Sequence, residues 1–200
     1  MIRLLDCLLS LIGLIILLPF MLLIGIMVKI SSKGPVLFVQ QRVGRHNKDF
    51  AFYKFRTMTV SNNEQLQITA GANISRITKV GAFLRTYKLD ELPQLFNVLI
   101  NDMSFVGPRP EVRRYVNLYT PEQQKVLAIK PGITDYASLA FYNEQELLAT
   151  QSNPEAYYIN TIMPQKIQLN MQYVRNQTMA SYCRVLYLTI RAFFGGGGKK

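Results

Sequence analysis

Asp90 and Glu91 stand side by side among fixed cations. Arg85 lies five residues before the aspartate, Lys88 two, and Gly107-Pro108-Arg109-Pro110-Glu111 follows. Carboxylates in such company can attack phosphorus or hold a divalent metal, while the cations neutralise phosphate oxygens. Each proline fixes its own φ and pushes the residue before it towards extended backbone. Arg109 is thus expected on a stiff loop, where its planar fork suits phosphate oxygens. Upstream, Lys54 and Arg56 fall on one face of an extended stretch, opposite Tyr53 and Phe55, and a cation pair there could grip a diphosphate. A solvated edge-strand face has the same pattern. His46, the only histidine, lies in a polar turn and is expected to be structural.

The elements that must position these groups follow from periodicity. Cys7 to Val28 is a run of 22 residues without a charge; as a helix it reaches about 33 Å, the thickness of a bilayer's hydrocarbon layer. Lys29-Ile-Ser-Ser-Lys33 follows in place of a small-residue cleavage site, so a retained anchor is expected rather than a signal peptide. Pro19, near the middle, removes a backbone hydrogen bond and bends or breaks the helix. A kinked single span competes with a re-entrant helix, broken near Pro19, that enters and leaves by one leaflet. Arg3 before the run and Lys29, Lys33, Arg42 and Arg45 after it all favour the cytoplasm, which leans towards the re-entrant form.

Beyond the anchor, Val36–Val43 and Phe50–Met58 read as a hairpin across the Gly44–Asp49 turn. Residues 61–75 read as a polar flexible loop near the site. Ile77 to Tyr87 has a helical apolar stripe, and Leu89 to Ile100 reads as the next helix, with Asp90 as its cap and Pro93 in its first turn. An acidic pair at a helix start is ordinary capping chemistry, yet the same terminus also attracts phosphate. Thr120-Pro121-Glu122 opens a further helix, and Pro131-Gly132-Ile133-Thr134 is a second rigid turn. Tyr182 to Phe194 is mostly apolar, with Arg184 and Arg191 on one helical face. It fits a helix lying among lipid headgroups, or a buried helix with two snorkelling arginines.

Composition limits the function classes. Two hundred residues, 49% apolar and 18% charged, allow one ordinary domain plus a membrane element and exclude a disordered tail protein. Twenty-three basic against twelve acidic residues give a net charge of +11, pointing to an anionic partner such as a phospholipid surface or a phosphorylated substrate. Cys7 and Cys183 offer no disulfide framework, and there is no zinc spacing, Walker loop or dinucleotide glycine pattern. A nucleic-acid binder would need aromatics interleaved with a basic stripe, or a helix-turn-helix; neither is evident, so no nucleic-acid partner is expected. A membrane-anchored, non-catalytic partner protein is the remaining alternative.

Four motifs in order carry a resemblance. Lys54-Phe-Arg-Thr-Met58, Leu89-Asp-Glu-Leu-Pro-Gln-Leu-Phe-Asn-Val98, Asp102-Met-Ser-Phe-Val-Gly-Pro-Arg-Pro110 and Pro131-Gly-Ile-Thr134 resemble the bacterial sugar transferase family, the monotopic polyprenyl-phosphate phosphoglycosyl transferases. The likeness runs from the anchor to about Phe194. It implies a helix-rich α/β (α+β) fold in three parts: a re-entrant anchor over residues 1–30, a small cytosolic catalytic domain over 31–194 with a short hairpin and interfacial helices, and a flexible tail over 195–200. It implies transfer of a sugar 1-phosphate from a UDP-type diphosphosugar to undecaprenyl phosphate at the cytoplasmic face of the bacterial inner membrane. Mg²⁺, anionic inner-leaflet lipids and downstream glycosyltransferases come with that expectation. By the same resemblance Asp90 is the nucleophile, Glu91 holds Mg²⁺ with Asp90 or orients the incoming group, and Lys54, Arg56, Arg85, Arg109 and Pro110 bind phosphate. The chain departs from the family pattern at Leu18, where many members have Ser, at Asp135-Tyr136, where many have Gly-Trp, and at Tyr182, where an Asp is common.

Overall fold

The structure is a computed structural model and describes residues 1–60 and 76–194. The loop expected over 61–75 and the tail over 195–200 lie outside the described residues.

Among the described residues a single helix, α1 (Ile2–Ser31), is long and apolar enough to cross a membrane by length and composition. It runs through Pro19 without interruption, so the break expected there is absent. A proline costs a helix its own N–H bond and a clash one turn back, and the uninterrupted apolar sequence on both sides keeps the remaining ladder intact. Most of α1 is exposed apolar surface: Leu8, Ile15, Ile16, Leu22, Leu23 and Ile26 face outwards.

The contacts α1 does make lie along its whole length. Arg3 donates to the carbonyls of Val98 (2.6 Å) and Leu99 (2.8 Å). Those carbonyls end α3 (Gln94–Leu99), where a cation complements the helix dipole. Asp6, 2% exposed, accepts through Oδ1 from the Ser104 hydroxyl (3.1 Å), the Phe105 amide (3.1 Å) and the Tyr182 hydroxyl (2.8 Å). At the far end Ile24 and Val28 pack with Phe55 and Leu84. A carboxylate buried this deeply is tolerable because three donors replace its water.

The hairpin is as expected in kind. Strands β1 (Leu37–Val43) and β2 (Asp49–Phe55) pair antiparallel from Leu37↔Phe55 to Val43↔Asp49. His46 and Asn47 take positive φ in the turn, a structural post for the lone histidine. After α2 (Lys79–Thr86), capped by Thr78, the chain does not make the helix expected from Leu89. Lys88 turns left-handed at φ 57°, a 3₁₀ turn covers Leu89–Glu91, and α3 starts only at Gln94. Asp90 therefore caps nothing.

A second sheet went unforeseen. Strand β3 (Ser104–Val106) pairs parallel with β4 (Gly132–Thr134), so Pro131-Gly132-Ile133-Thr134 is a strand rather than only a turn. A Cβ on Gly132 would stand 2.1 Å from the Gly107 nitrogen, which restricts both positions to glycine. Short helices α4 (Arg113–Val116), α5 (Pro121–Gln124), α6 (Tyr136–Ala140), α7 (Glu144–Ala149) and α8 (Pro154–Tyr157) lead to α9 (Met163–Arg175) and α10 (Met179–Phe194). The largest core joins Val43, Val112, Tyr115, Tyr158, Ile162 and Ile167 beneath the Gly107–Pro110 loop. On helix α10 Tyr182 and Val185 are fully buried, while Tyr187, Ile190 and Phe193 are exposed, as are Arg184 and Arg191.

Candidate active site

Asn97 joins the two halves of the site. Its side chain, wholly buried on α3, accepts from the Tyr53 amide (3.1 Å) and donates to the Ala51 carbonyl (2.7 Å). Strand β2, which carries Lys54, is thereby stapled to the helix that follows Asp90 and Glu91. The second strand pair brings up the other side, because the Gly107–Pro110 loop leaves the end of β3.

The two carboxylates have opposite environments. Glu91 is clasped by both terminal nitrogens of Arg109, one at 3.2 Å from Oε2 and the other in closer contact with Oε1. Burial alone would raise its pKa, but the Arg109 charge and hydrogen bond outweigh it and hold the carboxyl at about 2. The same pairing raises Arg109. Asp90 is 6% exposed and accepts no hydrogen bond among the described residues. Burial, then the Glu91 charge, push its pKa up against the pull of Lys54, Arg85 and Lys88. One carboxylate is locked and quiet; its neighbour is unencumbered and more basic than an ordinary aspartate.

The cations divide likewise. Burial and the nearby Arg42 lower Lys54 to about 8, with Asp90 opposing, and its ammonium lies 5.3 Å from the Phe38 ring centroid. Arg85 donates Nε to the Thr57 hydroxyl (2.9 Å), and its Nη1 has no acceptor among the described residues. Arg56 does not join Lys54. Strand β2 ends at Phe55, so the period of two stops applying, and Arg56 Nη2 donates to the carbonyls of Ser32 (2.6 Å) and Val28 (3.3 Å) where α1 ends. Its Nε and Nη1 are buried without partners. Pro110 has no N–H to offer phosphate, and its carbonyl is taken by Arg42 Nη1 at 3.0 Å. Among the described residues no three histidine, cysteine or acidic side chains come together as a metal cage.

Sequence reasoning missed Arg42 and Asn97, and left Asp135 without a role. Their partners lie 68, 44 and 26 residues away, and no local pattern announces such contacts.

An Asp-Glu pair after a left-handed lysine, set against an arginine between two prolines, now stands beside an apolar helix. The family model described as bacterial sugar transferase matches residues 1–196. The chain belongs to this family. Among curated relatives, the UDP-glucose:undecaprenyl-phosphate glucose-1-phosphate transferase of Klebsiella pneumoniae is 38% identical over 94% of this chain and 39% of its own length. The UDP-N-acetylgalactosamine-undecaprenyl-phosphate N-acetylgalactosaminephosphotransferase of Aeromonas hydrophila is 32% identical over 98% of this chain and 44% of its own. An uncharacterized sugar transferase of Bacillus subtilis, EpsL, is 36% identical over 82% of this chain and 72% of its own. This sugar transferase family member thus spans about two-fifths of the length of the first two. Tyr182 donates to Asp6 and ties α10 to the start of α1.

Proposed function

We propose that this chain transfers a sugar 1-phosphate from a UDP-linked diphosphosugar to undecaprenyl phosphate, through a phosphosugar ester on Asp90. The observation that carries it is the unencumbered, buried carboxylate of Asp90 beside a Glu91 held by Arg109. An Asp90 oxygen bonds to the phosphorus next to the sugar, the bridging P–O bond breaks, and UMP leaves with the bridging oxygen. An oxygen of the lipid phosphate then attacks the same phosphorus and the aspartyl ester bond breaks, restoring the carboxylate. One side chain serves two differently solvated substrates in turn. Lys54, Arg85 and Arg109 neutralise phosphate charge as it shifts to the leaving group.

Magnesium belongs to this proposal. Mg²⁺ keeps several waters and takes one or two carboxylates plus substrate phosphates. With both Glu91 oxygens taken by Arg109, the residues fit an ion carried mainly by the diphosphate, with Asp90 as the carboxylate left open to it. When bound, it neutralises diphosphate charge. The relatives named for UDP-glucose and UDP-N-acetylgalactosamine leave the sugar open. The test is a panel of UDP-sugars offered with undecaprenyl phosphate and Mg²⁺. UMP release with at least one donor is expected; its absence with all of them overturns the reading.

The same proposal places the chain at the bacterial inner membrane, with the catalytic domain and both ends of α1 on the cytoplasmic face. Arg3 and Asp6 at one end and Val28 at the other all contact the same domain, which supports both ends lying on one side of the bilayer. A cysteine at position 2 (Ile2→Cys, native cysteines replaced) is expected to react with an impermeant maleimide only from the cytoplasmic side. Labelling from outside would establish a full span. Anionic inner-leaflet lipids and downstream glycosyltransferases are the partners this placement implies.

A further inference from the structure

Five successive residues around Arg109 have a main-chain group tied down. The Gly107 amide donates to the Thr134 carbonyl (3.1 Å), and the Pro108 carbonyl accepts from the Gly132 amide (3.1 Å). The Arg109 amide donates to Asp135 Oδ2 (2.7 Å). The Pro110 carbonyl accepts from Arg42, and the Glu111 carbonyl from the Val43 amide (2.8 Å). Flanked by prolines, the Arg109 amide is the only main-chain N–H between Gly107 and Glu111. Its acceptor is a carboxylate 2% exposed. Asp135 Oδ2 also accepts from Asn170 Nδ2 on α9 (3.0 Å), and Oδ1 caps α6 through the Ser138 amide. The loop backbone is therefore fixed, and the part of Arg109 left to move is its side chain, which reaches Glu91.

We propose that Asp135 is a positioning residue: by gripping the Arg109 amide it fixes the pivot about which the guanidinium passes from Glu91 to the donor's diphosphate. This rests on reading Arg109 as the donor's phosphate ligand. A charge-assisted bond to a main-chain amide orients a loop strongly where no second donor can substitute. An arginine swinging about a fixed Cα loses less entropy on binding than one on a loose loop. Asp135 thus acts on donor affinity while touching no substrate.

Asp135→Ser separates this role from simple folding. Serine retains the cap on Ser138, but its hydroxyl is too short to hold Arg109 and Asn170 as well. With the full chain in detergent, calorimetric affinity for UDP is expected to fall about tenfold, the size of one lost hydrogen bond to a charged group. In UMP exchange with the donor, without lipid acceptor, the donor KM rises to match. The KM for undecaprenyl phosphate stays close to wild type, and the melting temperature falls by only a few degrees. Asp135→Asn, with one oxygen for three donors, falls between. Unchanged UDP affinity in Asp135→Ser, or equal losses for both substrates with a collapse in melting temperature, overturns the proposal. So does a wild type that does not bind UDP. A wild type that binds UDP but never exchanges UMP instead defeats the transfer reading, and the UDP comparison still decides the role of Asp135.

Discussion

Asp90→Asn is expected to abolish both UMP release and UMP exchange, by about 10⁴-fold or more, since an amide cannot supply the attacking oxygen. The substitution is nearly isosteric, and Asp90 accepts no hydrogen bond among the described residues, so little packing is disturbed. Removing its charge also takes one carboxylate away from Lys54, Arg85 and Lys88. UDP should then bind as tightly as to wild type, or more so. Lost turnover with retained binding separates a nucleophile from a structural acid. Residual exchange within about tenfold of wild type would remove Asp90 from the mechanism. The wild-type pH profile belongs to the same argument. Burial and Glu91 raise Asp90, so exchange falls on its acid side above the ordinary aspartate range. Lys54 at about 8 loses its charge on the alkaline side, and Lys54→Arg is expected to push that limb upward.

The sequence revealed groups more readily than contacts. Apolar length made α1 visible, alternation made the hairpin visible, and the Thr120 cap with Gln123 formed the box its spacing implies. Two misreadings have separate causes. Leu89 to Ile100 has helical composition, but a left-handed Lys88 precedes it and Pro93 divides it, and tertiary packing chose a 3₁₀ turn for the acidic pair. The parallel pair β3–β4 was invisible because three-residue strands carry no periodicity and their partner is 28 residues away. At the site, Asp90, Glu91, Arg85, Lys54 and Arg109 were legible from residue type and spacing. Arg56 was misplaced by extending the strand alternation one residue past its end, where its side chain serves the last carbonyls of α1. Asp135 looked only like a departure from a pattern. Its three bonds depend on α6, α9 and the Arg109 loop meeting in space.

Arg109→Leu is expected to lower turnover with saturating lipid acceptor by about 10²–10³-fold, the range for removing a charged donor from a transition state. It should also destabilise the fold, for a separate reason. Glu91, held at about 2, is depressed below its unfolded value, so the pair contributes stability that is full above the ordinary glutamate range and fades as pH falls towards 2. Deleting Arg109 leaves that carboxylate unpaired. The cost at neutral pH is about 2 kcal/mol, below that of a fully buried pair because the Arg109 side chain is 34% exposed and screened. The gap between mutant and wild type should therefore narrow on acidification, which a melting series from pH 7 to pH 3 reads directly. Adding Glu91→Gln to Arg109→Leu removes the orphaned charge and should restore most of the melting temperature, but not the turnover. Recovery of activity along with stability would mean that the Arg109–Glu91 pair only supports the fold, and that phosphate charge is met by Lys54 and Arg85 alone.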